Sequence, residues 1–197
     1  NPAPEAIPVK VIEDAFDIIV HDNPMGLLQY GPMQGDARLA ELTLQRLSEV
    51  HHMNLEGQGL IISNGAGQLL GLVPITVCEP GDEVYMDDYT FTSAINSIRN
   101  MGAKAVGIKT DEFGMIPSEL EKAAQSGKGK YIYLIPNFQN PTGITMPLER
   151  RKEIYAIASK YDLFIYEDDP YGEIRFAGEH IPTFKSFDSE NRVLYAG

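Results

Sequence analysis

The chain has almost no cysteine and no long apolar run. Cys78 is the only cysteine among the 197 residues, so a disulfide within the chain is excluded, and no base that could activate the thiol lies beside it. We therefore expect Cys78 to be a core residue. No apolar stretch reaches the roughly 18 residues that a membrane-spanning helix needs, and the opening lacks the basic and then apolar order of a signal peptide. These absences predict a soluble protein in the cytoplasm without a membrane partner.

Basic residues are scarce as well. The 16 Lys and Arg residues against 28 Asp and Glu residues give a net charge of −12, which repels the phosphate backbone of a nucleic acid. The one basic run, Arg150 to Lys152, is interpreted as the solvated face of a helix. Four histidines show no metal-ligand spacing and are predicted to be surface or capping residues: His21, His51, His52 and His180. The composition thus predicts neither nucleic-acid contact nor a metal site.

The sequence does contain a regular alternation of short apolar runs with segments of helical period. Its hydrophobic fraction of 43% is ordinary for a globular domain with one sizeable core. Six runs have the length of strands: residues 60–63, 83–86, 104–108, 131–135, 163–167 and 193–195. Strands that alternate with helices form a mostly parallel sheet covered on both faces, with ligands at the carboxyl ends of the strands. The pattern therefore predicts the α/β class with a three-layer α/β/α architecture.

Apolar spacing and breaker residues mark the helical segments. The proline-rich residues 1–8 predict an extended arm, and residues 9–20 form an amphipathic stretch. After the break in "LQYGPMQGD", a helix is expected to begin with Asp36 as its cap. The clearest helix covers residues 147–161, with a proline at its entry. Pro74 falls inside the helix predicted after "NGAG" and should kink or end that helix.

The stretch "IISNGAGQLLG" is the first candidate site. A strand that runs through glycines into a helix points unpaired backbone N–H groups and the positive end of the helix dipole at one spot, which suits a phosphate. A tight turn without a ligand would have the same sequence. Gly65, Gly67 and Gly71 also form a loose GxGxxxG, and Asp87 or Asp88 follows about 20 residues on, as in dinucleotide-binding proteins. That alternative is weaker, because the motif normally opens a domain.

Two further candidate sites follow later strands. In "IPNFQNPTG" the Asn-Pro and Thr-Gly pairs are turn chemistry, so an ordinary loop is one interpretation, although Asn140 could also donate a hydrogen bond to a ligand. In "LFIYEDDPYGE" three adjacent acids end an apolar run, and they require either open water or a positively charged partner. A cationic ring or a metal ion could be that partner. The run lacks the alternating Asp-x-Asp spacing of a calcium loop, which disfavours the metal.

Six motifs, taken together, identify a family resemblance. They are "LQYGPMQGD", "NGAGQ", "EPGDEVYMDDYTF", "NFQNPTG", "YEDDPYGE" and "RVLYAG", and they cover nearly the whole chain. In this order they resemble the fold-type I, pyridoxal-phosphate-dependent aminotransferases, especially the branch with 2-aminoadipate and aromatic aminotransferases and the effector domains of MocR-type regulators. The resemblance implies pyridoxal 5′-phosphate as cofactor and the transfer of an amino group between an amino acid and a 2-oxo acid.

The resemblance also assigns roles to residues of the second and third sites. Asp168 matches the aspartate that pairs with the pyridine nitrogen of the cofactor and keeps it protonated. Tyr171 and Asn140 match the residues that hydrogen-bond the phenolic oxygen of the ring. Phe91 falls where the family places an aromatic side chain that stacks on the ring. The two acids that flank Asp168 are expected to face a loop, a cap or solvent.

The remaining roles concern the phosphate and the neighbouring subunit. Ala66 and Gly67 occupy phosphate-loop positions and are expected to bind through backbone N–H groups, without the hydroxyl that many relatives have there. Tyr30 matches a tyrosine that reaches the phosphate of the neighbouring subunit, which implies a homodimer. The resemblance divides the chain into residues 1–35, an N-terminal arm with the partner-site loop, and residues 36–197, the cofactor-binding large domain.

The most important departure from the family pattern concerns the catalytic lysine. The lysine that forms the Schiff base follows the "YxG" strand in the family, whereas Lys185 precedes that strand here. The resemblance therefore implies a large domain truncated before that lysine, which binds the cofactor noncovalently and shows no turnover alone. Two alternatives stay open: a pyridoxal-phosphate-binding effector domain of a MocR-like transcription regulator, and an NAD(P)-dependent dehydrogenase built on "GAGQLLG".

Overall fold

The computed structural model describes residues 3–197, so the expectations for residues 1 and 2 lie outside it. The described chain opens with a short 3-10 helix at Pro4–Ala6, where the sequence predicted an extended arm. The predicted amphipathic stretch is confirmed as helix α1, Val9–Asp22, which is followed by the short helix α2, Pro24–Leu28. Neither helix contains a buried residue, so the N-terminal part of the chain lies outside the core.

Helix α3, Ala37–His51, begins where the sequence predicted. The side chain of Asp36 accepts a hydrogen bond from the backbone N–H of Leu39 at 2.8 Å. This bond satisfies one of the N–H groups that the first turn of a helix leaves without a partner. The helix ends at His52, which has a left-handed backbone with φ of 54°. The cap at Asp36 is therefore confirmed.

The strand predicted at residues 60–63 is wrong. A strand of a sheet makes its backbone hydrogen bonds to a neighbouring strand. This segment pairs with none of the described strands. Its backbone makes one hydrogen bond outside regular structure, from the N–H of Ile62 to the carbonyl of Gln34 at 3.0 Å. Leu60 lines a cavity of about 350 Å³ whose other walls include Val193 and Leu194 of the last strand. The apolar run thus covers a cavity and does not extend the sheet.

Helix α4, Ala66–Val77, starts directly after Gly65, whose φ of 77° is a conformation that glycine adopts without strain. Pro74 lies inside α4, and the helix continues for three residues beyond it. The N–H of Cys78, at the end of the helix, donates to the carbonyl of Pro74 at 3.0 Å. The helix therefore does not end at Pro74. It ends within one turn after it, which agrees with the expectation only in part.

The remaining elements alternate as the sequence predicted. They are β1 Glu83–Asp87, α5 Thr92–Asn100, β2 Lys104–Ile108, β3 Thr110–Asp111, β4 Gly114–Met115, α6 Pro117–Ala124, β5 Gly129–Leu134, α7 Leu148–Lys160, β6 Phe164–Asp168, a 3-10 helix Lys185–Phe187, and β7 Val193–Ala196. Strands β1, β2, β5, β6 and β7 form one sheet in the order β2-β1-β5-β6-β7, and every neighbouring pair is parallel. Strands β3 and β4 form a separate antiparallel pair. Five of the six predicted strands are confirmed.

The sheet separates two cores, which confirms the three-layer architecture. Successive side chains of a strand point to opposite faces. On β5, Ile132 and Leu134 pack with helices α6 and α7, whereas Tyr131 and Tyr133 pack with helices α4 and α5. Because all five strands are parallel, their carboxyl ends lie along one edge of the sheet, and the side chains that follow them gather there.

No helix within residues 3–197 is both long enough and apolar enough to cross a membrane.

Candidate functional site

The three adjacent acids at the end of β6 point in different directions. Glu167, Asp168 and Asp169 are all buried, each at most 5% exposed. Because strand residues alternate between faces, Glu167 points to the side of α7 and Asp168 to the side of α4. The charges are thereby distributed among separate partners. This arrangement answers how three carboxylates can stand together away from solvent.

Glu167 is tied to the loop before β7. Its two carboxylate oxygens each accept a backbone N–H at 2.9 Å, one from Phe184 and one from Lys185. The guanidinium of Arg151 lies 4.0 Å away. Burial raises the pKa of Glu167 to about 7, and the two backbone hydrogen bonds and Arg151 oppose that rise. The expectation that this acid faces a loop or cap holds, but it has no contact with solvent.

Arg151 contradicts the interpretation of the basic run as a solvated face. Its side chain is fully buried on α7. It donates to the carbonyls of Met146 at 2.9 Å, Pro182 at 3.0 Å and Pro136 at 3.2 Å, and to the side-chain oxygen of Asn137 at 2.7 Å. A charge can be buried only when it is paired and hydrogen-bonded in this way. Of the three basic residues, only Lys152 is exposed.

Asp169 joins the ends of three strands, which is a correction because it was expected to face a loop, a cap or solvent. Its carboxylate accepts hydrogen bonds from the side chain of Asn137, after β5, at 2.7 Å and from the hydroxyl of Tyr195, on β7, at 3.2 Å. Its backbone N–H donates to the carbonyl of Ala196 at 2.7 Å. A Cβ added at Gly172 would collide with the Asp169 carboxylate, so only glycine fits there. These bonds hold the segment that follows Asp168.

Asp168 has one hydrogen-bond partner among the described residues. Its Oδ2 accepts a hydrogen bond from the hydroxyl of Tyr133 at 2.7 Å, and no other hydrogen bond to its side chain is recorded in residues 3–197. Burial raises the pKa of Asp168, the bond from Tyr133 lowers it, and the charge of Asp169 raises it. Asp168 lines a cavity of about 590 Å³ at the carboxyl ends of β6 and β7. A positively charged group in this cavity would satisfy the carboxylate.

The same cavity is bordered by the start of α4. Gly65 and Ala66 line it together with Asp168, so the first backbone N–H groups of the helix and a buried carboxylate share one space. The first N–H groups of a helix have no partner within the helix and favour an anion. The site therefore suits a molecule with an anionic group at one end and a protonatable nitrogen at the other.

The other candidate residues from the sequence do not all line this cavity. Asn140 and Tyr171 approach each other, with 3.4 Å between the side-chain nitrogen and the hydroxyl. Phe91 directly precedes α5 and is partly exposed. Gly67 lies one residue inside α4 and is not part of the cavity wall. Tyr30 is fully exposed. Thus Asp168 and Ala66 share the cavity, Asn140 and Tyr171 form a pair, and Tyr30 stands apart.

Asp87 and Gln139 form a buried polar pair that the sequence did not single out as such. Asp87 ends β1, and its Oδ1 is buried without a hydrogen-bond partner. Burial raises the pKa of Asp87 to about 7, while a hydrogen bond from Gln139 opposes that rise. Gln139 is itself bonded to the carbonyl of Tyr89 at 2.5 Å. Asp87 is thus not available to a ribose, so of the two acids that the dinucleotide alternative named only the exposed Asp88 could take that role.

We expect Asp87→Asn to flatten the dependence of stability on pH. An unfolded aspartate ionises near pH 4, whereas folded Asp87 ionises near pH 7, so the folded state binds more protons between these values. Stability should therefore fall as pH rises through this window, and the variant should be more stable than the parent by up to about 4 kcal/mol at pH 8 but nearly equal to it near pH 4.

Urea unfolding at both pH values measures this difference. Asp17→Asn, at an exposed position of α1, is the control and should leave the curve unchanged. A constant offset between Asp87→Asn and the parent across the window would contradict the buried titration.

His51 is a further correction, because it was expected at the surface or in a cap. It is 2% exposed at the end of α3. Its Nε2 lies 2.8 Å from a carboxylate oxygen of Glu173, and its ring packs edge-on against His180 at 5.4 Å. Arg46 binds the same carboxylate, and these hydrogen bonds lower the pKa of Glu173. The loop after Asp169 covers the histidine, which its position in the sequence could not show.

Cys78 is half-buried and packs against the core on the α4 side of the sheet. Burial raises the pKa of its thiol to about 11. A thiol with such a pKa stays protonated near neutral pH and is a poor nucleophile.

Residues 3–197 contain no cluster of three or more His, Cys, Asp or Glu side chains that could hold a metal ion.

The fold and the site define a three-layer α/β/α protein with an anion-binding helix start facing a buried carboxylate. The family model described as "Aminotransferase class I and II" matches residues 4–194. The chain therefore belongs to the class I and II aminotransferase family. The dehydrogenase alternative loses its structural context, because no strand precedes "GAGQLLG" in the described part of the chain.

Individual relatives agree with this assignment. The aromatic-amino-acid aminotransferase 1 of Thermococcus litoralis is 33% identical over 100% of this chain and 48% of its own length. A kynurenine aminotransferase from Pyrococcus horikoshii, solved "in complex with PMP, KYN as substrates and KYA as products", superposes with a TM-score of 0.94 at 32% identity and covers 98% of this chain and 49% of that chain. An alpha-aminoadipate aminotransferase from Thermus thermophilus, complexed with N-(5'-phosphopyridoxyl)-L-leucine, gives a TM-score of 0.84 at 28% identity, covering 98% and 49%. The chain spans about half the length of the relatives it matches.

Proposed function

We propose that this chain binds pyridoxal 5′-phosphate and serves the transfer of an amino group between an amino acid and a 2-oxo acid. The observation that carries the proposal is the buried carboxylate of Asp168, which has no cationic partner within residues 3–197 and faces the same cavity as the start of α4. The pyridine nitrogen and the phosphate of the cofactor are the two groups that such a cavity would select. The relatives that were solved with phosphopyridoxyl compounds support the choice of ligand.

The residues present fit this cofactor. Asp168 would hold the protonated ring nitrogen, because its Oδ1 accepts no hydrogen bond within residues 3–197, whereas Asp169 and Glu173, which line the same cavity, are hydrogen-bonded through both oxygens. The backbone N–H groups of Ala66 and Gly67 would hold the phosphate. Asn140 and Tyr171, already in contact, would bond the phenolic oxygen, and Phe91 would cover one face of the ring. When bound, pyridoxal phosphate supplies a ring that withdraws electrons from the substrate α-carbon.

The proposal includes a homodimer and the division of the chain at residue 35. In the described chain, α1 and α2 bury none of their residues, and Tyr30 is fully exposed. An exposed apolar arm of this kind is suited to a partner surface. Tyr30 would then contribute its hydroxyl to the phosphate site of the neighbouring subunit. The cytoplasmic location stays a prediction, since a bovine relative with 29% identity is named as mitochondrial.

Proline at residue 66 tests the phosphate end of the site. Ala66 is the first residue of α4, a position where proline is accommodated because its missing N–H has no helical partner. We expect Ala66→Pro to weaken the binding of pyridoxal phosphate about tenfold, since one donor to the phosphate is lost. The binding of pyridoxal, which has no phosphate, should change by less than about twofold.

Equilibrium titration of the chain, followed by absorbance of the ligand, measures these affinities. Ala37→Pro, at the first residue of α3, is the matched control and should leave the binding of both ligands unchanged. A parent chain that binds NADH and not pyridoxal phosphate would refute the proposed function. Equal losses for pyridoxal and pyridoxal phosphate would refute the placement of the phosphate.

A further inference from the structure

Tyr133 is the residue that approaches Asp168 most closely from a neighbouring strand. Tyr133 on β5 lies opposite Tyr166 on β6, and Asp168 follows Tyr166 by two residues. All three side chains therefore point to the same face of the sheet, the side of α4. The Tyr133 hydroxyl donates to Oδ2 of Asp168 at 2.7 Å, and both residues are buried.

The bond from Tyr133 opposes the other influences on the carboxylate. A hydroxyl that donates to a carboxylate favours the anion, whereas burial and the negative charge of Asp169 favour the neutral acid. No lysine, arginine or histidine forms an ion pair with Asp168 within residues 3–197. Tyr166 lies on the same face, and its hydroxyl has no hydrogen-bond partner among the described residues. The ionisable side chains that line the cavity with Asp168 and Asp169 are Arg46, His51, Glu173 and Tyr195. Tyr133 is thus the one side chain that supports the charge of Asp168.

The ring of Tyr133 is itself fixed in place. It packs edge-on against the ring of Tyr166, with 5.4 Å between the ring centres. Both tyrosines belong to the core on the α4 side, so their rings have little room to rotate. The hydroxyl of Tyr133 therefore holds Oδ2 in one orientation, and Oδ1 of Asp168 is left for a second partner.

We propose that Tyr133 is a positioning residue of the cofactor site: its hydroxyl holds Oδ2 of Asp168, leaves Oδ1 to a protonated ring nitrogen and favours the anionic carboxylate. The inference rests on the proposed function for the identity of that nitrogen. It assigns to a tyrosine deep in the sheet an effect on the ligand that it does not touch. Tyr133 acts only through Asp168.

Tyr133→Phe removes the hydroxyl and keeps the ring. Tyr166→Phe is a matched control, because it removes a hydroxyl from the adjacent buried ring, where the hydroxyl has no hydrogen-bond partner. A general effect of hydroxyl loss on core packing would appear in both variants. An effect through the Asp168 carboxylate would appear only in Tyr133→Phe.

The first measurement needs no cofactor. The chain is labelled with ¹³C at aspartate carboxyl carbons, the Asp168 signal is assigned by its absence in Asp168→Asn, and its shift is followed against pH. We expect the titration midpoint of Asp168 to rise by about one pH unit in Tyr133→Phe and to stay unchanged in Tyr166→Phe. A midpoint that moves equally in both variants, or in neither, would overturn the inference whatever the chain binds.

The second measurement connects the tyrosine to the ligand. Pyridoxal phosphate is compared with its 1-deaza analogue, in which carbon replaces the ring nitrogen. We expect Tyr133→Phe to weaken binding of pyridoxal phosphate about fivefold at pH 7 and to change binding of the analogue by less than about twofold. Equal losses for both ligands would overturn the inference. If the midpoint of Asp168 shifts but the parent chain binds neither ligand, the proposed function is what fails.

Discussion

Replacing Asp168 by asparagine should weaken the binding of the cofactor and raise the stability of the unliganded chain. At pH 7, Asp168→Asn should weaken the binding of pyridoxal phosphate by about ten- to a hundredfold, because a hydrogen bond between two charged groups is lost. The same change should make the unliganded chain more stable. Burial raises the folded pKa of Asp168 above its unfolded value, so the stability of the parent falls as pH rises from the unfolded pKa through the folded one. The amide keeps an oxygen that can accept the bond from Tyr133.

Isothermal titration and thermal unfolding of the same samples measure the two effects. The midpoint of thermal unfolding should rise by a few degrees at pH 7 and be nearly unchanged at about pH 3, below the pKa of the carboxyl in both states. Glu167→Gln is the control for binding, since Glu167 lies next to Asp168 but points to the side of α7. Its affinity should stay within about twofold of the parent. Asp168→Asn with unchanged affinity would contradict the assigned partner of the ring nitrogen.

Loss of Arg151 should produce the largest decrease in stability. Arg151→Met should lower the free energy of unfolding by about 3–5 kcal/mol, because Glu167 and the acceptors that Arg151 serves would remain buried without their donor. The side chain of Asn137 would also lose the hydrogen bond that it accepts from Arg151. Asn137 in turn donates to Asp169, the residue that follows Asp168. The effect should therefore extend to the end of β6, where Asp168 lies.

Urea unfolding compares Arg151→Met with Lys152→Met, the neighbouring basic residue on α7. The Lys152 side chain is 53% exposed and pairs with Glu149 at 2.9 Å, and a surface pair of this kind contributes about 0–1 kcal/mol. Arg151→Lys should give an intermediate loss, since it keeps the charge but not the planar fork, and it serves if the methionine variant does not fold. Equal, small losses in all three variants would contradict the structural role of Arg151.

The architecture was predictable because period and alternation are local properties of the chain. Residues 83–86, 104–108, 131–135, 163–167 and 193–195 are apolar runs of strand length, and each lies in or overlaps a strand of the sheet. The failure at residues 60–63 has a different cause. Whether an apolar run becomes a strand depends on a partner strand, which no local pattern contains.

Residues of the candidate site such as Asp168 were predictable from the sequence, but the side chains that hold them in place were not predicted. Motifs placed Asp168 at the end of a strand, and the fold brings it to the same cavity as Ala66. The bond from Tyr133 depends on the register between β5 and β6, which only the folded sheet defines. Arg151 was within reach of the sequence, because it precedes the buried Ile154 and Ala158 by three and seven residues and so lies on the apolar stripe of α7. The interpretation as a charge run missed that spacing.

The protonation state of the bound ring is the most direct measure of the whole account. Pyridoxal phosphate labelled with ¹⁵N in the ring is bound to the chain, and its nitrogen signal is recorded by NMR as pH is raised beyond the point where the free ring loses its proton. The account predicts a protonated nitrogen that persists in the parent chain and disappears in Asp168→Asn. An unprotonated ring nitrogen in the bound parent chain would contradict the pairing with Asp168 on which the proposed function depends.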